Sequence, residues 1–183
     1  MPHPLPTPAR STDPNDYQTL PRSVAAMAKS FADGHEIAPH HHRRDQLLYA
    51  VAGIMRIRTG REAWIVPPDR AVYIPALTEH SVSMRGAVEM RTLYLVPRRQ
   101  CEHGAPGSLE ERRADSDARP LLGWPADESL PGAASDLPAA PVAIQVTELL
   151  RALIMALIEE PVLYDERGRG GAIAGLIHSE IAR

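Results

Sequence analysis

Four residues carry types and spacing from which a metal or ligand site is built. His40 and His42 are separated by a single residue, Gln46 follows, and His80 lies downstream of Pro75. In an extended strand successive side chains alternate faces, so His40, His42 and Gln46 share parity and converge on one side. His80, arriving on a later strand, meets them if the strands close around a common interior. Three imidazoles and an amide oxygen are suitable ligands for one divalent transition ion: zinc, nickel, iron or copper. Gln46, however, is a weak neutral ligand where a carboxylate would help balance the metal's charge. The same histidines serve equally as hydrogen-bonding groups in a metal-free ligand pocket, and the residues alone leave both readings open. Trp64 is a further ligand-binding candidate, since it alternates with apolar neighbours as a pocket wall would. His41 and Glu79 have the opposite parity and are expected to face outward. With no convincing general acid or base beside the histidines, no catalytic residue is assigned.

The elements that position these residues read as strands. Residues 1–22 carry prolines at 2, 4, 6, 8, 14 and 21, a density that excludes helix and central strand and predicts an extended arm. From 23 to 97 short apolar runs alternate with turn residues, the texture of an all-β sandwich or barrel. Strands are expected over 24–30, 46–52, 54–59, 63–66, 71–74, 81–84 and 88–96, with Gly53, Gly60, Pro67, Pro68, Pro75 and Gly86 as breaks. Arg43, Arg44 and Asp45 are expected at a solvated strand start. Residues 98–141 are polar, then rich in Pro, Gly, Ser and Ala, and read as a linker or insertion. Within it Trp124 is a candidate anchor to the barrel, and the pairing of Cys101 with His103 reads as coincidence. Residues 142–183 turn helical. Leu149, Leu150, Leu153, Ile154, Leu157 and Ile158 recur at helical spacing behind a Thr147 N-cap, and Pro161 ends the run. Ile173, Leu176, Ile177 and Ile181 mark a second amphipathic helix.

Bulk properties narrow the function. The chain has 183 residues, room for one domain with appendages, and 44% hydrophobic residues, enough for a real core. A formal net charge of −3 argues against a surface that coats nucleic acid. With one cysteine an internal disulfide is impossible, which suits a reducing cytoplasm. The first residues lack the apolar segment of a secretory signal, and no run approaches a membrane span. Basic charge is nearly all arginine, Lys29 being the single lysine. With the abundant Ala and Pro, this fits a GC-rich bacterial source.

The run Gly34, His40, His42, Gln46 and Gly53 resembles the first motif of the cupins, Gly-x5-His-x-His-x3-Glu-x6-Gly, with Gln46 in the glutamate slot. Pro75 and His80 match the second motif, while Asp69, Leu77 and Met84 stand where it has Gly, Gly and Asn. A longer resemblance is to the N-terminal domain of a subgroup of AraC/XylS-type regulators. It is carried by Arg44 through Ala50, Gly53, Trp64, Val66, Pro67, Pro68, Ile74, Pro75, Ala76 and His80, and resumes over residues 144–183. In that subgroup glutamine is usual at the Gln46 position. The resemblance implies a mainly β fold, a cupin-type double-stranded β-helix (jelly-roll) barrel followed by a C-terminal helical hairpin. It also implies a small-molecule effector in the barrel, a homodimer made through the hairpin, and a separate helix-turn-helix domain that this chain lacks. DNA binding is therefore not expected of this chain alone. The alternative is a stand-alone metal-dependent cupin enzyme, an oxygenase or isomerase, using His40, His42 and His80. A third possibility is a shortened regulator that blocks partner subunits.

Overall fold

The computed structural model describes residues 10–60, 62–97 and 137–183. Residues 98–136 of the linker expected over 98–141, with Cys101, His103 and Trp124, and the first nine residues of the arm lie outside the described residues.

Seven antiparallel strands form one sheet: β1 (Val24–Phe31), β2 (Glu36–His40), β3 (Asp45–Thr59), β4 (Ala63–Val66), β5 (Arg70–Ile74), β6 (His80–Leu95) and β7 (Val142–Gln145). The order is β1-β6-β3-β5-β7, with β2 also on β6 and β4 also on β3. Two helices follow, α1 (Glu148–Glu159) and α2 (Arg169–Ile181). The fold is thus mainly β with a C-terminal helical pair, as the sequence indicates.

Two of the expected breaks are bends within long strands. β3 and β6 run through Gly53 and Gly86, both at positive φ, 76° and 73°. At Gly53 the strands approach so closely that a Cβ would lie 2.4 Å from the Ala87 carbonyl oxygen. The β3–β6 register shifts between Ala50, Ala52 and Ile54. A glycine bulge bends a strand without ending it, a distinction that local sequence does not make.

The bulge also explains a switch of faces. Leu48 and Ala50 face one side of β3, and beyond the bulge Met55 and Ile57 take over that side. On β6, Val82, Met84, Val88, Met90 and Tyr94 keep one parity throughout. Together these residues make the inner core, and Leu47, Tyr49, Tyr73, Leu93 and Leu95 make an outer layer under the helices.

Helix α1 is capped by Thr147, whose hydroxyl accepts from Leu150 N at 3.0 Å and donates to Glu180 Oε2 at 2.9 Å, tying the two helices. Leu150, Leu153, Ile154 and Leu157 bury on the outer layer, as do Ile173, Ile177 and Ile181 of α2. Leu149 and Leu176, expected in the same stripes, are half exposed. Residues 142–145, expected as part of the helical segment, instead form β7, which covers the edge of β5. Val142 and Ile144 alternate with smaller or polar residues, a pattern too short to register beside the strong helix period behind it.

The arm is only partly extended. Residues Pro14–Tyr17 form a 3-10 turn capped by the Asp13 side chain. Pro14 sits where its fixed φ suits the first turn and its missing N–H goes unmissed. Tyr17 is buried against Tyr94, ring centroids 5.8 Å apart.

Arg44 and Asp45 are buried, at 5% and 4% exposure, which corrects the expectation of a solvated strand start. The Arg44 guanidinium donates to the carbonyls of Gln18, Leu20, Arg22 and Tyr94. Asp45 accepts from Tyr73 OH and Ala76 N. Their polar partners arrive from distant segments, which satisfies both groups without water.

Candidate metal and ligand site

Three of the four ligand candidates converge because two strand ends meet. His40 closes β2 and pairs in register with His80, which opens β6. Their ring centroids lie 4.4 Å apart. His42 does not continue β2, as shared parity on one strand would require. It lies in the connection to β3, where its carbonyl accepts from Leu77 N at 2.8 Å. Its ring sits 4.8 Å from that of His40 and 5.6 Å from that of His80. One ligating nitrogen from each ring falls within 4.8 Å of the others. Gln46, second in β3, faces the same interior, while His41 is exposed as expected.

The protonation pattern follows from the neighbours. His40 Nδ1 lies 2.8 Å from Ala38 O, and His80 Nδ1 lies 2.9 Å from Thr78 O. A carbonyl only accepts, so each Nδ1 carries a proton, and in the neutral ring Nε2 is the lone pair. Backbone bonds of this kind fix the tautomer of metal-binding histidines. His80 Nε2 and Gln46 Oε1 are both buried without a hydrogen-bond partner. Burial, then the neighbouring imidazoles, pushes the pKa of His42 down to about 4. Burial also takes His80 down to about 4, against a smaller upward pull from Thr78. Near neutral pH both rings are therefore uncharged. Two buried acceptor atoms left without a partner beside three imidazoles fit a cation.

Beside this cluster opens a cavity of about 330 Å³. His40, His42, Gln46 and His80 line it together with apolar walls from Met27, Leu48, Val82 and Met90. Pro14 of the arm and Lys29 lie along the same cavity. Among the described residues, Glu36 is the sole carboxylate lining it, and Glu36 is exposed. Trp64 is not brought to the histidines. It sits on β4 opposite Ile57, partly buried against the inner core, and does not line the cavity. The parity that placed Trp64 inside is correct, but β4 lies on the far stretch of β3 beyond the bulge. Sequence reasoning missed Met27, Met90 and Tyr94, although the constant parity of β6 carries the signal for the last two.

Residues 29–96 match the sequence profile described as Cupin domain. Over 58 residues, 32% of this chain, it is 36% identical to the HTH-type transcriptional regulator NimR of Escherichia coli (strain K12). The chain spans 21% of that relative's length. Among solved structures, one similar to it is a cupin superfamily protein from Desulfitobacterium hafniense, at 25% identity and a TM-score of 0.37, covering 40% of this chain and 68% of that one. Another is the oxalate decarboxylase of Bacillus subtilis, with Mn(II) centres, at 18% identity and a TM-score of 0.38, covering 42% and 22%. No helix among the described residues is long and apolar enough to cross a membrane.

Proposed function

We propose that this chain is the effector-sensing and dimerising module of an AraC-type transcription regulator. Its cavity takes a small molecule, and His40, His42 and His80, with Gln46 Oε1, take one divalent transition ion. The observation that carries this reading is the 58-residue likeness to a transcription regulator, in a chain whose cupin domain holds a cavity beside three imidazoles. An ion held there supplies a Lewis-acid anchor for an oxygen of the bound molecule. The chain's own residues do the rest. The backbone bonds at His40 and His80 hold the proton on Nδ1, Gln46 offers its oxygen, and Met27, Leu48, Val82 and Met90 offer apolar contact.

Four neutral donors leave the charge of such an ion unbalanced in a low-dielectric interior, so an anionic effector, such as a small carboxylate, fits best. Metal and effector then tighten each other's binding. The half-exposed Leu149 and Leu176 offer apolar helix surface for a second copy. Both helices pack on the sheet, and with the net charge of −3 this favours no sequence-specific DNA binding by the chain alone.

The test is elemental analysis of protein prepared without a histidine tag, then calorimetry of Zn²⁺ into chelator-treated protein, with sedimentation for assembly. The expected result is one equivalent bound, abolished by His42→Ala, in a dimer. Substoichiometric binding unaffected by His42→Ala would remove the metal from the reading, and monomer at high micromolar concentration would remove the dimer. A second reading, a metal-dependent cupin enzyme, draws on the imidazole cluster itself. Exposure of Glu36, the one carboxylate that lines the cavity among the described residues, favours binding over turnover, and conversion of a bound carboxylate would reverse that choice.

A further inference from the structure

Asp45 lies on the face of β3 turned away from the cavity, in the outer layer with Leu47 and Tyr49, so it touches no cavity ligand. It is nonetheless joined to two of the three histidines through one turn. Its Oδ2 accepts from Tyr73 OH at 2.5 Å, and its Oδ1 accepts from Ala76 N at 2.8 Å. Ala76 begins the turn between β5 and β6, closed by Thr78 N donating to Pro75 O at 3.3 Å. The next residue, Leu77, holds a left-handed φ of 62° and donates its N–H to the His42 carbonyl. Thr78, next again, gives its carbonyl to His80 Nδ1. A single buried carboxylate thus anchors the turn whose next two residues fix the backbone of His42 and the ring of His80. The left-handed conformation of Leu77 is unfavourable for a branched side chain and persists only where its surroundings hold it.

We propose that Asp45 is the positioning residue of the imidazole cluster, setting the tautomer and placement of His80 and the position of His42 from the opposite face of the sheet. This rests on the reading of His40, His42 and His80 as the ligand site. Outer groups that orient metal-binding histidines typically change affinity about 10- to 100-fold when removed.

The experiment follows the imidazoles directly, in metal-free protein, by long-range ¹H–¹⁵N correlation, and then titrates Co²⁺. In the wild type, His80 is expected as a single Nδ1–H tautomer. In Asp45→Ala it is expected to become a mixture of tautomers, with His42 displaced and Co²⁺ affinity about 10- to 100-fold weaker. Asp45→Asn keeps an oxygen for Ala76 N and is expected to restore the wild-type pattern. Tyr73→Phe and Ile177→Ala lower stability without touching the Ala76 bond and are expected to leave both rings unchanged. Should Asp45→Ala not fold, Asp45→Ser takes its place, being too short to reach Ala76 N. A wild-type His80 tautomer in a folded Asp45→Ala or Asp45→Ser protein overturns the proposal, as does an equal disturbance in Ile177→Ala. Failure of the wild type to bind Co²⁺ instead counts against the metal reading and leaves the tautomer result to decide this one.

Discussion

Replacing Arg44 by methionine keeps the buried stem and removes the charge. The guanidinium donates through Nε to Gln18 O at 3.2 Å, through Nη1 to Arg22 O at 2.9 Å and Tyr94 O at 3.4 Å, and through Nη2 to Leu20 O. Three of these carbonyls belong to the segment just before β1, so one side chain fastens the arm to the start of β3. Counting three sound charge-assisted bonds at about 1.5–3 kcal/mol each gives a gross contribution of roughly 5–9 kcal/mol. Opposing it, burial lowers the Arg44 pKa from 12.5 to about 10. That shift corresponds to a charge-burial cost of about 3 kcal/mol, which methionine escapes. The net expectation for Arg44→Met is a loss of roughly 2–6 kcal/mol, or a fall in Tm of about 4–24 °C. Arg44→Lys should recover less than half, because a point charge cannot serve carbonyls spread across a planar fork. Urea unfolding followed by circular dichroism measures the loss, and trypsin cleavage after Arg22 should quicken as the arm loosens. If Arg44→Met stays within about 1 kcal/mol of the wild type, the fastening role is wrong.

Gly53→Ala should cost at least about 3 kcal/mol, since it combines left-handed strain with a Cβ placed 2.4 Å from Ala87 O; an unchanged urea midpoint would contradict the close strand approach. Leu77→Gly should stabilise by about 0.5–1 kcal/mol, because relief at φ 62° outweighs the added freedom of the unfolded chain, and this side chain is 69% exposed and loses little packing. Metal-free protein should lose stability as pH falls below about 6.5, because burial lowers the pKa of His42, His80 and His178, and their neutral forms stabilise the fold only above the unfolded-state value. Between about pH 6.5 and pH 4 the unfolded chain binds more protons, so the urea midpoint should drop steadily; a flat midpoint from pH 7 to about pH 5 would show that these rings are not buried as neutral groups.

The site was legible in the sequence to the extent that it depends on side-chain type and spacing. Two histidines flanking one residue, a later histidine behind a proline, and glycines at the bends name the cluster before any fold is known. What spacing could not supply was the backbone route. Parity placed His40 and His42 on one strand, whereas β2 ends at His40 and a tertiary bond from Leu77 N holds the His42 backbone in place. The same limit governs Arg44 and Asp45. Charged residues at a strand start read as solvated unless their partners are visible, and the carbonyls that satisfy Arg44 come from 22 to 50 residues away. Trp64 shows the converse: its inward parity is right, but a shared face does not give a shared cavity once a bulge bends the strand.

These departures have a common physical origin in the closing of a bent sheet. Gly53 and Gly86 let two long strands run on as single pieces, so the ends of β2 and β6 meet, and the β5–β6 turn falls beside the connection that carries His42. That turn must then be held against a left-handed residue, and Asp45 is the buried group that holds it. Residues that look like surface charge in the sequence thus become structural where the sheet closes. Arg44 fastens the arm that lies along the cavity, and Asp45 fastens the turn that carries the imidazoles. Arg44 sits just before β3 and Asp45 begins it, and the two reach different partners. Arg44 therefore holds the segment 18–22, and Asp45 holds the turn at Ala76. Loss of Arg44 should loosen the arm with little change in the His80 tautomer, and loss of Asp45 should change the tautomer with the arm still protected from trypsin. Finding both effects in both variants would mean that the two anchors respond as one unit.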